Sequence, residues 1–279
     1  MKTNRVLIKL GGSSLQETNI MSDIAETVRQ YRLYGYEVIL VHGGGPSINQ
    51  ELTRRGIQWS FVRGQRVTTP EMMDAIQSVL WGQLNGELVG SMKQVGVSAA
   101  GISGVQDRIL FCQQASEELG LVGAIQHVDI KPIEEVLKQV GSPVPIVTPL
   151  GFGAEGEIYN INADWAASQL AIALKVSQLV FLTDQSGILN AQTKLIREIS
   201  SDGLQKLIDT EVVTGGMYAK VKTVLNALVQ GVSHVRILNT KDSLRGLWSD
   251  HIGTQCFQSD SQFLSLRVEP PRMPRYANI

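Results

Sequence analysis

The sequence predicts an α/β fold built around a parallel β-sheet. Short runs of branched apolar residues, at 6–8, 37–41 and 179–183, alternate with longer segments whose apolar residues recur at helical spacing. This β-α-β order implies parallel pairing through right-handed crossovers. With 279 residues, of which 43% are hydrophobic, the chain is long enough for one large α/β domain or two closely joined lobes.

Composition and charge exclude several classes of function. The 25 Lys and Arg residues are balanced by 26 Asp and Glu residues without a dense basic run, so neither nucleic acid nor an anionic membrane is expected as a partner. No apolar segment approaches the roughly 20 residues that span a bilayer, and a strand follows the first residues directly, so the expected location is cytoplasmic. Cys112 and Cys256 are far apart in sequence and are expected to be reduced thiols.

The first strand and the turn after it carry the clearest local signal. Residues 6–10 are typical of a buried strand, and their only charge, Lys9, lies where the strand ends. Gly11 and Gly12 can adopt backbone angles that direct N–H groups toward an anion, and Ser13 adds a hydroxyl donor. The stretch predicts a phosphate site, and the alternative is an ordinary turn with a solvated lysine.

A second glycine turn follows one helix and one strand later. The strand at 37–41 leads into the run at 42–46, which includes Gly44 and Gly45, and a helix is predicted from about 48 to 55. Ligands of open α/β sheets gather at the carboxyl ends of adjacent strands. The two turns are therefore expected to belong to one site.

Polar residues further along the chain extend this candidate site. Arg66 follows a glycine-containing turn, where its guanidinium could bind a carboxylate with two hydrogen bonds, although a surface charge is the alternative. A long apolar helix is predicted from 71 to about 96, with Asn85 as its notable polar residue. A polar cluster at 160–164 precedes an alanine-rich helix. Asn162 or Asp164 could simply cap that helix, and the alternative is that Asp164 holds nearby lysines in register.

A glycine-rich stretch at 151–156 matches the dinucleotide fingerprint GxGxxG. That fingerprint requires a helix to begin within the motif, whereas residues 157–161 continue with strand-like alternation after the strand predicted at 143–150. A glycine-rich hairpin is therefore the better prediction.

Predicted strands and helices also alternate in the second half of the chain. The strand at 179–183 ends at Asp184, and the pair Gly215 and Gly216 precedes a helix predicted to reach about residue 230. Lys220 lies in the first turns of this helix, where the helix dipole and the ammonium group would both favour an anion. The last residues, 259–279, are expected to form a C-terminal tail.

Together these motifs resemble those of the amino acid kinase family, and most closely its members that phosphorylate N-acetyl-L-glutamate. The matching segments are KLGGSS, VHGGGP, RGQRVT, YNINADWAA, LTDQSGIL and GGMYAKV, in the family's order over roughly residues 5–257. The resemblance implies a three-layer αβα sandwich with a mainly parallel central sheet of about eight strands. It implies one domain, 1–258, with an acceptor lobe to about residue 175 and a nucleotide lobe from about 176.

The resemblance also implies a reaction. The γ-phosphoryl group of ATP would be transferred to the side-chain carboxylate of N-acetyl-L-glutamate, an acidic amino acid, to give an acyl phosphate in arginine biosynthesis. Mg2+ would be held mainly by the nucleotide phosphates, with no protein metal ligand.

Residue roles follow from the same match. Lys9 and Lys220 correspond to lysines that stabilise charge on the transferred phosphoryl group, and Asp164 corresponds to the aspartate that organises them. Gly12 and Gly44 match backbone donors to the phosphoryl oxygens, and Gly45, Arg66 and Asn160 match contacts with the acceptor. Gly44 is counted with these three as a substrate-binding residue. The residues that match the nucleotide or phosphate site are Gly11, Gly12, Ser13, Thr183, Asp184, Gly215 and Gly216.

The chain departs from the family pattern on the acceptor side. Residues 103–107 lack the Gly-x-Asp-Gly form, and Thr69 replaces a frequent aspartate. A sister kinase acting on another acidic amino acid, such as carrier-bound aminoadipate, is therefore a second hypothesis, and an inactive nucleotide-binding regulator is a third. The chain also lacks the extra N-terminal helix of arginine-inhibited hexameric relatives, which favours a homodimer.

Overall fold

Fourteen strands and nine α-helices are formed by the residues that the structure, a computed structural model, describes: 4–16, 20–246, 249 and 251–259. The strands are β1 Arg5–Leu10, β2 Glu37–His42, β3 Phe61–Val62, β4 Gln65–Arg66, β5 Ala99–Ser103, β6 Leu110–Gln114, β7 Gly123–Val128, β8 Val144–Thr148, β9 Leu150–Phe152, β10 Ile158–Asn160, β11 Gln178–Thr183, β12 Glu198–Ser200, β13 His234–Asn239 and β14 Thr254–Phe257. The α-helices are α1 Ile20–Leu33, α2 Gly45–Arg54, α3 Pro70–Gln77, α4 Gly86–Gln94, α5 Lys131–Lys138, α6 Ala163–Ala173, α7 Ser201–Asp209, α8 Gly215–Val229 and α9 Ser243–Gly246. A π-helical segment, Ser78–Asn85, joins α3 to α4.

Eight of these strands form the central sheet in the order β12-β14-β13-β11-β1-β2-β8-β5. Every neighbouring pair is parallel except β13 and β14, which pair antiparallel. The predicted α/β class and the mainly parallel eight-stranded sheet are confirmed. β1 lies between β11 and β2, so the turn after β1 is central to the carboxyl edge of the sheet.

Alternation along β1 separates two helical layers. Val6, Ile8 and Leu10 pack with α1 and α4 on one face of the sheet. Leu7 packs with α6 and α8 on the other face. Because successive strand residues point to opposite faces, Lys9 lies on the same face as Leu7, under α6 and α8. The three layers of the sandwich follow from this two-sided apolar pattern.

The glycine-rich stretch at 151–156 connects the antiparallel strands β9 and β10, so the hairpin prediction is confirmed. The same two strands join β6 and β7 in a four-stranded sheet of order β10-β9-β6-β7. The prediction of one continuous strand at 143–150 was wrong. That stretch divides at Pro149 into β8, in the central sheet, and β9, in the four-stranded sheet, because proline has no N–H to donate to a ladder.

Three helix predictions need correction. Helix α2 begins at Gly45 rather than near 48, with proline in its first turn. Gly215 and Gly216 form the first turn of α8 rather than preceding it, and the φ of Gly215 is +54°, which glycine adopts without a side-chain clash. The helix predicted from 71 to 96 is interrupted by the π-helical segment. This segment packs Leu80 and Leu84 against Gly44 of the second glycine turn.

Both cysteines are buried free thiols, as expected. Among the described residues, no helix combines the length and the apolar character that crossing a bilayer requires. The predicted tail at 259–279 lies, apart from its first residue, outside the described residues. The proposed boundary between an acceptor lobe and a nucleotide lobe stays a prediction.

Candidate active site

Lys9, Asp164 and Lys220 meet at the carboxyl edge of the central sheet. Lys9 is the penultimate residue of β1, Asp164 lies in the first turn of α6, and Lys220 lies in the second turn of α8. The Nζ atom of Lys9 is 2.7 Å from Oδ1 of Asp164, and the Nζ atom of Lys220 is 2.6 Å from Oδ2. Both lysines are buried. The structure therefore brings together the three side chains that the sequence resemblance linked.

The charges of this triad are set by burial and by one another. Burial alone would raise the pKa of Asp164, but the positive charges of Lys9 and Lys220 outweigh it and hold that pKa well below its usual range. Burial lowers the pKa of Lys220, and Asp164 offsets only part of this effect. Two ammonium groups and one carboxylate leave one net positive charge. The triad can therefore attract an anion.

Asp164 is available for this role because another residue caps α6. The side chain of Asn162 accepts hydrogen bonds from the backbone N–H groups of Asp164, at 2.9 Å, and Trp165, at 3.1 Å. These two bonds satisfy the orphan donors at the start of the helix. Asn162, and not Asp164, is therefore the residue that caps α6.

The two glycine turns touch each other backbone to backbone. A Cβ atom on Gly12 would lie 2.7 Å from the nitrogen of Gly45 and 2.8 Å from that of Gly44. The turns are anchored by hydrogen bonds from Gly11 N to Leu182 O and from Gly43 N to Leu10 O, each 2.9 Å. The close backbone approach leaves no room for a side chain at position 12.

The backbone donors of these turns are free. Among the described residues, the N–H groups of Gly12, Gly44 and Gly45 donate to no protein acceptor. Uncommitted amides beside cationic side chains are typical of phosphate sites. Ser13 is exposed at this turn, whereas Ser14 is buried with its Oγ 2.6 Å from Oγ1 of Thr240.

The predicted acceptor residues form a second group. Arg66 is buried, and its Nη2 atom donates to Gly45 O at 3.3 Å and to the side-chain oxygen of Asn49. Its guanidinium lies 5.4 Å from the ring centre of Trp59 and 4.8 Å from that of Phe61. Within the described residues, Nη1 of Arg66 has no hydrogen-bond partner. A buried, unsatisfied guanidinium edge indicates a place for an anionic ligand.

Asn160 is linked to Arg66 through one hydroxyl group. Its Nδ2 atom donates to Oγ1 of Thr68 at 3.1 Å, and Thr68 Oγ1 donates to the backbone oxygen of Arg66 at 3.0 Å. Burial lowers the pKa of Arg66 to about 10, so the guanidinium stays charged near neutral pH. Thr68 was not singled out from the sequence, although its position two residues after Arg66 could have suggested it.

The predicted nucleotide residues lie at the ends of β11 and α8. Thr183 Oγ1 donates to Oδ1 of Asp184 at 3.0 Å, and the backbone oxygen of Asp184 accepts from Asn239 at 2.9 Å. Thr240 Oγ1 also donates to the backbone oxygen of Thr183, at 3.1 Å. Asn239 and Thr240 were missed in the sequence, although the carboxyl end of a parallel strand was the signal that could have found them.

The positions of Gly215 and Gly216 leave room beside α8. A Cβ atom at either position would have no neighbouring atom within 4 Å. Within the described part of the chain, no group of three or more His, Cys, Asp and Glu side chains is arranged to hold a metal ion. Both carboxylate oxygens of Asp164 face ammonium groups instead.

Comparisons with known proteins agree with this geometry. The model of the amino acid kinase family matches residues 4–239. Acetylglutamate kinase of Trichlorobacter lovleyi is 38% identical over 84% of this chain and 83% of its own length. The acetylglutamate kinase of Bacillus cytotoxicus is 36% identical over 92% of this chain and 98% of its own length.

Solved structures show the same fold. A Streptococcus mutans protein superposes with a TM-score of 0.79 at 27% identity, covering 91% of this chain and 98% of its own. Carbamate kinase from Giardia lamblia bound to AMP-PNP gives 0.68 at 17% identity, covering 92% of this chain and 99% of its own. The family match and the acetylglutamate kinase relatives indicate a phosphotransferase that acts on a carboxyl group. The chain belongs to the amino acid kinase family, which confirms the resemblance seen in its motifs and implies ATP as phosphoryl donor.

Proposed function

We propose that this chain transfers the γ-phosphoryl group of ATP to the side-chain carboxylate of N-acetyl-L-glutamate, forming an acyl phosphate in arginine biosynthesis. The observation that carries the proposal is the triad of Lys9, Asp164 and Lys220 beside the free N–H groups of the two glycine turns. The naming of several relatives as acetylglutamate kinases supports the choice of acceptor.

Phosphoryl transfer asks a protein mainly for positioning and for neutralisation of negative charge. In this proposal Lys9 and Lys220 approach the phosphoryl oxygens, and Asp164 keeps the two ammonium groups in register without titrating. The N–H groups of Gly12 and Gly44 donate to the same oxygens. No general base is required, because the attacking carboxylate is already ionised at neutral pH.

The acceptor would be held on the side of the site that contains Arg66. The unsatisfied Nη1 edge of this residue supplies donors for the carboxylate that does not react. Asn160 and Gly45, which are connected to Arg66 by the hydrogen bonds described above, border the same space. This arrangement supports an acidic amino acid as acceptor.

The nucleotide would lie between the end of β11 and the start of α8, beside Thr183, Asp184, Gly215 and Gly216. Mg2+ would enter with ATP as part of the substrate, bound mainly by phosphate oxygens. We extend the proposal to an acceptor lobe before about residue 175 and a nucleotide lobe over 176–258, and to a homodimer.

The test is turnover by the purified protein with ATP, Mg2+ and one of three acceptors: N-acetylglutamate, glutamate or N-acetylaminoadipate. We expect ADP release with the highest kcat/KM for N-acetylglutamate, and none in the matched variant Lys9→Met. A higher kcat/KM with the aminoadipate derivative would favour the sister kinase. Saturable ATP binding without turnover of any acceptor would favour a regulator.

A further inference from the structure

A buried polar cluster lies directly behind the second glycine turn. It consists of His42 at the end of β2, Asn85 at the end of the π-helical segment, and Thr148 at the end of β8, none of them more than 2% exposed. Nδ2 of Asn85 lies 3.3 Å from Nε2 of His42 and 3.0 Å from Oγ1 of Thr148. Thr148 Oγ1 is also 3.4 Å from Nε2 of His42. The triad and the acceptor residues use none of these side chains.

The hydrogen bonds determine which nitrogen of His42 carries its proton. Asn85 Nδ2 faces the backbone oxygen of Ile146 at 2.8 Å, so this end of the amide is the donor. Nδ1 of His42 lies 3.1 Å from Gly43 O, which can only accept, so Nδ1 carries the proton and Nε2 is left as an acceptor beside Asn85 and Thr148. Burial, with a contribution from the charge of Lys9, lowers the pKa of His42 to about 4, so the ring is neutral.

This tautomer fixes the orientation of one peptide unit in the turn. The carbonyl of Gly43 and the N–H of Gly44 belong to the same planar trans peptide and point in opposite directions. Holding the carbonyl toward the imidazole therefore directs the N–H of Gly44 away from it, toward the turn that contains Gly12. Without the hydrogen bond, glycine on both sides would let this peptide rotate.

The π-helical segment packs against the second glycine turn. A Cβ atom on Gly44 would lie 2.5 Å from Cδ2 of Leu80 and 2.8 Å from Cδ1 of Leu84. Asn85 follows Leu84 directly, so one segment both packs against the turn and supplies the donor to His42. The wider turns of a π-helix change which side chains face inward, and such segments are frequent at functional sites.

We infer that His42, Asn85 and Thr148 are positioning residues that orient the Gly44 N–H group toward the phosphoryl group during its transfer. They act through the peptide between Gly43 and Gly44 and do not contact the substrates. The inference deepens the proposed function and rests on it for its kinetic test.

The test compares two replacements of His42 that place an amide donor at different positions. His42→Asn keeps a donor near the position of Nδ1, whereas His42→Gln moves it toward the position of Nε2. We expect His42→Gln to lower kcat about 100-fold with both KM values unchanged, as expected for a misdirected transition-state donor, and His42→Asn to retain most of kcat. Equal losses in the two variants would overturn the inference.

Thr148 offers a second, nearly isosteric test. Thr148→Val removes the hydroxyl group and should lower kcat, while Thr148→Ser should restore it. Thr27→Val is the matched control, because Thr27 is a buried threonine that donates to Asp23 O at 2.7 Å, in α1. It should lose a similar amount of thermal stability without a change in kcat. A loss of kcat in Thr27→Val equal to that in Thr148→Val would mean that the effect is only structural.

Two further readouts separate this inference from the choice of acceptor. Nitrogen-15 NMR of the wild-type protein should show His42 protonated at Nδ1, and a ring protonated at Nε2 would overturn the inference. If the wild-type protein fails to turn over any acceptor, the acceptor assignment fails. The His42 variants are then compared by binding of ADP, Mg2+ and aluminium fluoride, and only His42→Gln should lose affinity for this mimic of the phosphoryl group.

Discussion

Lys9 and Lys220, on β1 and α8, form ion pairs with different oxygens of one carboxylate, at 2.7 and 2.6 Å. Asp164 thus holds two like charges close together in a largely buried setting, where their repulsion would otherwise separate them. The carboxylate cancels one of the two charges and leaves the other for a ligand.

This sharing predicts an order of stability among variants. Asp164→Asn leaves two buried cations unpaired, and removal of one partner of a buried ion pair costs about 3–5 kcal/mol. Lys9→Met leaves Asp164 paired with Lys220 and should cost less. Urea unfolding at pH 7 measures the free energy of unfolding, with Asp74→Asn, on the exposed pair with Arg55, as a control without measurable change. Equal destabilisation by Asp164→Asn and Lys9→Met would contradict this order.

The lowered pKa of Lys220 predicts the alkaline side of the pH–rate profile. Lys220 loses its charge at a lower pH than an ordinary lysine, whose pKa is 10.5, so kcat should fall with rising pH below that value. Over this pH range the unfolded chain keeps the proton that folded Lys220 has released. The free energy of unfolding should therefore not fall as kcat falls. Asp164 should add no acidic limb between about pH 5 and 8, since its pKa lies well below that range.

The control for this profile is Lys222→Met, which removes an exposed lysine from the same helix. Its alkaline limb should coincide with that of the wild-type protein. An alkaline limb at or above 10.5 would show that Lys220 titrates like a solvated lysine.

The contact between the glycine turns predicts that Gly12→Ala inactivates the protein. The new Cβ atom would lie within 3 Å of the nitrogens of Gly44 and Gly45, so one turn must move. A displacement of this size should lower kcat about 100-fold. Gly86→Ala is the matched control, since a Cβ atom there meets nothing within 4 Å and alanine favours the helix. Full activity of Gly12→Ala would refute the argument.

The aromatic pair beside Arg66 predicts an effect confined to the acceptor. Trp59→Leu removes one of the two rings that flank the guanidinium and should raise the acceptor KM about tenfold, because cation–π contacts contribute about 0.5–2 kcal/mol. The KM for ATP should not change, and Trp59→Phe should restore most of the acceptor affinity. Initial rates at varied acceptor and saturating ATP measure the acceptor KM, and initial rates at varied ATP and saturating acceptor measure the KM for ATP. A parallel rise in the two KM values would instead indicate a general loss of structure.

Local sequence was enough to predict a parallel sheet and the edge that bears the glycine turns, whereas the eight strands and the three layers were predicted from the family resemblance. Branched apolar runs ending in glycine mark buried parallel strands, and the carboxyl ends of such strands meet at one edge whatever the loops contain. The π-helical segment could not be predicted, because its apolar residues fit an α-helical pattern equally well. The segment packs Leu80 and Leu84 against Gly44, and a contact with a residue so distant in sequence is not visible in a local pattern.

The cluster of His42, Asn85 and Thr148 behind the second glycine turn could not be predicted either. His42 and Thr148 are 106 positions apart, and a single histidine at a strand end does not reveal its partner. The starts of α2 and α8 were misplaced for a different reason. Glycine has low helix propensity, so Gly45 and Gly215 read as turns although each opens a helix.

The backbone contact between Gly12 and Gly44 restricts how such a protein can diverge. A side chain on Gly12 would collide with the backbone of the second turn, so this position cannot change unless one of the turns moves. Under the proposed function, new acceptor preferences are expected to arise on the other side of the site, where Arg66, Trp59 and Phe61 meet on and beside a two-stranded hairpin. Laboratory evolution toward another acidic acceptor should accumulate its first changes on that hairpin.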